Sequence, residues 1–131
     1  MSKIVWVNGC FDVLHRGHLE LFKYAKSKGQ KLIVGIDSDN KVRQSKGTTR
    51  PINCQEDRKF ILQSIRYIDE VIIFDTHQDL KELIKKYNPI MVIGSDWKGK
   101  EVIGEEYSTE LCFFDRISGY STTDTLRKLN G

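Results

Sequence analysis

Short, almost wholly apolar runs recur along the chain, separated by stretches in which apolar positions return every three or four residues. The runs are Ile4 to Val7, Leu32 to Ile36, Val71 to Phe74, Ile90 to Ile93 and Glu110 to Phe114. Runs of this length and composition predict buried β-strands. Between the first two, Gly17 to Lys28 places Leu14, Leu19, Phe22 and Ala25 near one helical face, and Gly29 supplies a stop. A short helix is expected after Asp37-Ser38-Asp39. Asn53 and Glu56 have the spacing of an N-cap and capping box, opening a helix that carries Phe60, Ile61, Ile65 and Ile68. Thr76 and Asp79 repeat that signal before Leu80, Leu83 and Ile84, and Ser121 and Asp124 mark a last helix start.

The predicted order is therefore β-α-β-α-α-β-α-β-loop-β-α. Such alternation implies an α/β, Rossmann-like single domain spanning residues 1–131: a five-stranded, mostly parallel sheet with helices on both faces. In such sheets ligands bind beyond the carboxyl ends of the strands, near a topological switch point.

Composition narrows the class. The 131 residues are 39% hydrophobic and 30% charged, enough apolar material for one core and too balanced for disorder. No apolar run reaches the roughly 20 residues of a membrane helix. The N-terminus enters a strand-like run directly, so no signal peptide and a cytoplasmic location are expected. The net charge of +3 is mild and its cations are interleaved with acids, which argues against a nucleic-acid partner. Cys10, Cys54 and Cys112 are odd in number and form no C-x-x-C pair, so neither a disulfide framework nor a structural zinc site is expected.

The polar residues with chemical potential lie just after the predicted strands. Gly9 permits close backbone approach to a ligand, and His15 and His18 flank Gly17 at a helix start, where free N–H groups and the helix dipole favour phosphate. Two imidazoles there supply donors for charge building on a pentavalent phosphorus. A lone His-x-x-His pair is a poor zinc motif, and His77 lies in a distant segment, so no metal ligand is assigned to a protein side chain. Lys46 and Arg50 flank the loop Lys46 to Pro51 and are placed to close over a polyphosphate. Arg58 sits in the first turns of a helix, where a cation opposes the dipole, which hints at a tertiary role. Asp96 is a candidate partner for an amine or metal, and Trp97 either walls a pocket or belongs to the core. Ser121, Thr122 and Thr123, after Arg116 and Gly119, form a second candidate phosphate cradle or an ordinary cap.

No paired catalytic carboxylates, nucleophile elbow or Walker loop accompanies these groups. A reaction needing neither protein nucleophile nor dedicated base fits them: attack of a substrate phosphate on a nucleotide α-phosphate, with Mg²⁺ accompanying the triphosphate.

Gly9-Cys10-Phe11-Asp12 followed by His15-Arg16-Gly17-His18 resembles the G-x-F-D…H-x-G-H motif of the cytidylyltransferase-like nucleotidyltransferases. Arg116, Gly119 and Ser121-Thr122-Thr123 resemble the R-T-x-G-I-S-T-T motif of the cytidylyltransferases. Arg58-Lys59, Ile65 to Val71 and Gly94 to Trp97 follow in the expected order. The resemblance implies a homodimer that transfers CMP from CTP to a phosphorylated alcohol or sugar, of the glycerol 3-phosphate type, and releases pyrophosphate. It implies that His15, His18, Lys46 and Arg58 are catalytic or phosphate-binding. It further implies that Gly9, Cys10, Phe11, Asp12, Gly17, Asp96, Arg116, Ser121, Thr122 and Thr123 bind the nucleotide, and that Asp12, Arg50 and Trp97 contact substrate. Two departures pull elsewhere. Ser95 replaces the first of two acids before the Trp. The stretch Lys46-Gly47…Arg50-Pro51-Ile52-Asn53 is more similar to the heptose-1-phosphate adenylyltransferases, which use ATP. Arg116 tips the expectation toward CTP. A non-catalytic nucleotide-binding module on the same fold is the alternative of another class, and the intact histidine pair argues against it.

Overall fold

The computed structural model describes residues 3–115; the expectations for Arg116, Ser121, Thr122 and Thr123 fall outside them. Five strands form one sheet in the order β3-β2-β1-β4-β5: β1 Ile4–Gly9, β2 Lys31–Asp37, β3 Glu70–Phe74, β4 Ile90–Gly94 and β5 Glu110–Phe114. Every strand pair is parallel. The helices are α1 Arg16–Lys26, α2 Asp39–Lys46, α3 Gln55–Gln63 and α4 His77–Tyr87, with single 3₁₀ turns at Ser95–Trp97 and Glu105–Tyr107. No helix among the described residues is long and apolar enough to cross a membrane.

Alternation along the strands divides the core in two. Val5, Val7, Leu32, Val34 and Ile36 point to the face covered by α1 and α3, where they meet Phe22, Ala25 and Leu62. Trp6, Ile33 and Met91 point to the opposite face and meet Leu80 and Ile84 of α4. Trp6 is fully buried because Gly35 on the neighbouring strand has no side chain; a Cβ there would sit 2.4 Å from the indole.

The sheet is unevenly stitched. β1 pairs with β2 from Ile4 through Gly9, but with β4 only at Val5 and Trp6. Beyond that point β1 and β4 part, and the strand order reverses direction there. The opening is the topological switch point at which open α/β sheets bind ligands.

Three helix expectations are corrected. α3 is capped by Cys54, whose side chain makes no capping hydrogen bond, and not by Asn53. Asn53 is engaged elsewhere: its backbone N–H and its side-chain amide both donate to Asp12. Within α3 the inward positions are Arg58 and Leu62, one turn apart, and Phe60 and Ile61 face outward at 71% and 42% exposure. A buried charge displaced the apolar pattern, because Arg58 finds acceptors under the sheet edge. Leu19, placed on the inner face of α1 by periodicity, is exposed. The Thr76 cap is present, its hydroxyl accepting from the Asp79 N–H. The Asp79 carboxylate returns to the Asp75 N–H, so the second bond lies one residue outside a strict box.

Candidate active site

A cleft of about 660 Å³ opens at the carboxyl ends of the strands, where β1 and β4 separate. Val7, Asn8 and Gly9 line it from one side of the gap, and Val92, Ile93 and Gly94 from the other.

The start of α1 projects into this cleft. His15 is the N-cap, in extended conformation, and its Nδ1 accepts the Gly17 N–H at 3.0 Å. His18 reaches back, its Nδ1 accepting the His15 N–H at 3.2 Å. The pair is a capping box built from imidazoles in place of Ser and Glu. The two rings stack with centroids 3.9 Å apart. An Nδ1 that accepts an N–H carries no proton, so this hydrogen-bond pattern assigns the proton of each neutral ring to Nε2. Both histidines line the cleft beside a helix N-terminus.

Phe11 supports them from below. It is a non-glycine residue at φ 50°, in the left-handed region, and it is buried. Its ring stands edge-on to His18 at 5.5 Å and to Phe22 at 5.1 Å. A side chain at Gly9 would sit 3.1 Å from that ring, so the glycine leaves space for the ring that positions His18.

Four of the expected site residues serve this scaffold and do not line the cleft. Asp12 is 3% exposed. Its carboxylate accepts from Arg50 Nε at 2.9 Å, from the Ile52 N–H at 2.7 Å and from the Asn53 N–H at 2.8 Å. Burial alone would raise its pKa. The Asn53 and Ile52 N–H groups and the Arg50 guanidinium outweigh that and hold the carboxyl below the ordinary carboxylate range. Asp12 and Arg50 thus latch the 50–53 segment to the first loop, and neither presents its charge to the cleft.

Arg58 is 1% exposed and donates to the carbonyls of Asn53, Cys10 and Asp37 and to the Asp39 carboxylate at 2.8–3.0 Å. It ties the ends of β1 and β2 to the starts of α2 and α3. The expectation that it binds phosphate is corrected to a positioning role, because four of its five N–H donors are already satisfied. Cys10 contributes its carbonyl to the same cluster. Burial pushes its thiol pKa up against the lowering effect of Lys46 and Arg58, which disfavours the thiolate.

The remaining expected residues within the described range reach the cleft. Gly17 lines it beside the histidines. Lys46, the last residue of α2, lies on its rim. Asp96 and Trp97 line it from the 3₁₀ turn after β4. Trp97 is 48% exposed, which makes it a wall and not core. Gly94 makes room for Asp96, whose Oδ1 would lie 2.7 Å from a Cβ at that glycine.

Sequence reasoning missed Asp37, Lys41 and His77, which line the side of the cleft formed by β2 and β3. The signal was available, since Asp37 ends β2 and His77 follows β3 by the same rule that picked out the loops after β1, β4 and β5. His77 is distant in sequence yet shares one cleft with His15 and His18. Even so, no group of three or more His, Cys, Asp or Glu among the described residues is placed to hold a metal ion.

The cleft has two characters. Toward β4 and β5 it is walled by Val92, Trp97, Val102, Ile103 and Phe114, with the acids Asp96 and Glu101 among them. Toward β2 and β3 it offers Asp37, Lys41, Lys46 and His77, which suit a charged, hydroxylated molecule. The imidazole pair stands between, at the end of β1.

Fold and site together define a phosphate-handling α/β domain with paired imidazole donors. Residues 6–112 match the cytidylyltransferase-like family, and the chain belongs to that family of nucleotidyltransferases. It is 45% identical over 131 residues to the bifunctional protein HldE of Sulfurimonas denitrificans, covering 99% of this chain and 27% of that protein. The chain thus spans about a quarter of the length of the curated relatives it matches. Two solved structures share the fold. The lipopolysaccharide core biosynthesis protein of Thermoplasma volcanium superposes with a TM-score of 0.69 at 24% identity, covering 92% of this chain and all of that one. The bifunctional NMN adenylyltransferase/ADP ribose pyrophosphatase of Francisella tularensis, solved with AMP and a Mn ion, gives 0.67 at 21% identity, covering all of this chain and 42% of that one.

Proposed function

We propose that this chain transfers AMP from ATP to a heptose 1-phosphate, forming an ADP-sugar and releasing pyrophosphate. The observation that carries nucleotidyl transfer is the imidazole capping box, which places both histidines on the cleft at a helix N-terminus. The expectation of CTP and a glycerol 3-phosphate acceptor leaned on Arg116, which lies outside the described residues. The HldE relatives favour ATP, and the similarity of Lys46 to Asn53 to the heptose-1-phosphate adenylyltransferases runs the same way.

In this reading the nucleobase lies against the apolar wall toward β4 and β5, and the sugar phosphate occupies the charged side. An oxygen of the acceptor phosphate attacks the α-phosphorus of ATP, and the bond to the β-phosphate oxygen breaks. A phosphate oxygen is already ionised at neutral pH, so no protein base is required. His15 and His18 donate from Nε2 to the α-phosphate oxygens, where negative charge builds in the transition state. Lys46 approaches the phosphates from the rim. A divalent cation, Mg²⁺ by expectation, held by the triphosphate oxygens would neutralise charge on the departing pyrophosphate. We place the reaction in the cytoplasm. A homodimer is the expected assembly, supported by the exposed apolar side chains of Ile52, Phe60 and Ile61.

Pyrophosphate release tests the reading. With Mg²⁺, the protein should release it from ATP and a heptose 1-phosphate faster than from CTP and glycerol 3-phosphate. The reverse preference would restore the cytidylyl reading, and no release from any pair would remove catalysis altogether.

A further inference from the structure

Lys41 sits on the first turn of α2, four residues after Asp37 at the end of β2, with both side chains 18% exposed. Its ammonium lies 3.2 Å from Asp37 Oδ1 and 5.6 Å from the centroid of the Phe74 ring. Both residues line the cleft, on the side away from the apolar wall. The Asp37 carbonyl is held by Arg58 Nη1 at 2.8 Å, so the strand end that carries this carboxylate is fixed to the buried cluster.

The pair is not needed to hold the fold together. Asp37 Oδ2 has no hydrogen-bond partner among the described residues, and Lys41 has donors left over after its bond to Oδ1. With both side chains largely buried, the cost of desolvating the two charges offsets most of their attraction, so the pair is weak evidence for stability. What it offers is a fixed acceptor beside a fixed donor at the wall of a cavity. A hydroxyl group complements such a pair, because it donates to the carboxylate and accepts from the ammonium. A second hydroxyl on an adjacent carbon can use the remaining sites. A bare phosphate is a poor match, since the carboxylate repels it and partly cancels the lysine charge. Lys46 and His77, on the same side of the cleft, are cations or donors without a carboxylate partner among the described residues, and suit the phosphate instead.

We propose that Asp37 and Lys41 form a polyol reader: a paired acceptor and donor that selects the acceptor substrate by its hydroxyls, apart from its phosphate. The proposal rests on the transfer reaction above for its substrate class, a phosphorylated sugar, and assigns the recognition of that sugar to two specificity-determining residues. It predicts that the nucleotide is bound independently of them.

Calorimetric titration of the full chain tests it, with heptose 1-phosphate, inorganic phosphate and ATP as separate probes. Lys41→Met and Asp37→Asn should each weaken heptose 1-phosphate about tenfold to a hundredfold, the loss of hydrogen bonds to a charged group. Inorganic phosphate and ATP should stay within about twofold of the unaltered protein, which also reports that the variants are folded. Equal weakening of inorganic phosphate and heptose 1-phosphate in Lys41→Met would make Lys41 a plain phosphate cation and overturn the proposal. So would unchanged heptose 1-phosphate binding in both variants, or none by the unaltered protein. Pyrophosphate release separates this from the reaction itself. Intact sugar-phosphate binding with no release overturns the transferase reading and leaves the polyol reader standing. Normal release with an unaltered acceptor KM in both variants does the opposite.

Discussion

Asp12 and His15 lie three residues apart in one motif and are put to opposite uses. Asp12, with Arg50, Asn53 and Arg58, forms a polar cluster in which charges meet partners inside the protein. His15 and His18 make their capping bonds to the backbone through Nδ1 and line the cleft. Among the described residues no buried side-chain nitrogen or oxygen is left unpaired, so the first group is a finished structure. The difference teaches that residue type and proximity to a motif do not separate residues that build a site from those that act in it. Burial and access to the cleft do.

Three substitutions press on that distinction. The largest effect is expected at Arg58. Arg58→Met leaves three carbonyls and the Asp39 carboxylate without their partner, and should cost about 3–5 kcal/mol of unfolding free energy in urea titration. A loss below about 1 kcal/mol would remove Arg58 from the building group. His18→Ala should act the other way, lowering turnover about 10²–10³-fold, as loss of a donor to a developing oxyanion does. Its stability should fall only by the roughly 1 kcal/mol of a lost cap. Near-normal turnover would sink its assigned role.

The smallest effect is a dependence on pH. The Asp12 carboxyl is held below its unfolded value of about 3.9, so the stability it contributes is complete above that value and is lost as pH falls through the folded-state pKa. Asp12→Asn should lower stability at neutral pH by about 1–2 kcal/mol and flatten its decline under acid. Parallel acid-unfolding curves for the two proteins would show that the latch carries no charge-dependent stability.

The strands were legible because a buried parallel strand is apolar on both faces and needs no distant information. The histidine pair was legible for a similar reason: its capping bonds span two and three residues, within reach of a local pattern. Arg58 and Asp12 were misplaced because all their partners but the Asn53 carbonyl bound by Arg58 lie 19 to 48 residues away, and such bonds leave no periodic trace. One local sign did exist, a cation in the first turns of α3 against the helix dipole. Phe60 and Ile61 misled for the complementary reason. Periodicity counts apolar residues, and the inward face of α3 was claimed by a buried arginine. Lys41 and His77 lay within the reach of the strand-end rule, which had been applied to only three of the five strands.

The join between β1 and β4 has a mechanical consequence. The ladders within β3-β2-β1 and within β4-β5 run the length of their strands, whereas only Val5 and Trp6 of β1 pair with β4, at the end remote from the cleft. The sheet therefore resembles two stiff plates fastened at one edge. Along most of that seam, side-chain packing and not backbone hydrogen bonding holds the two parts side by side, and the backbone groups left out of the ladder face the cleft's floor at Val7 to Gly9 and Val92 to Gly94.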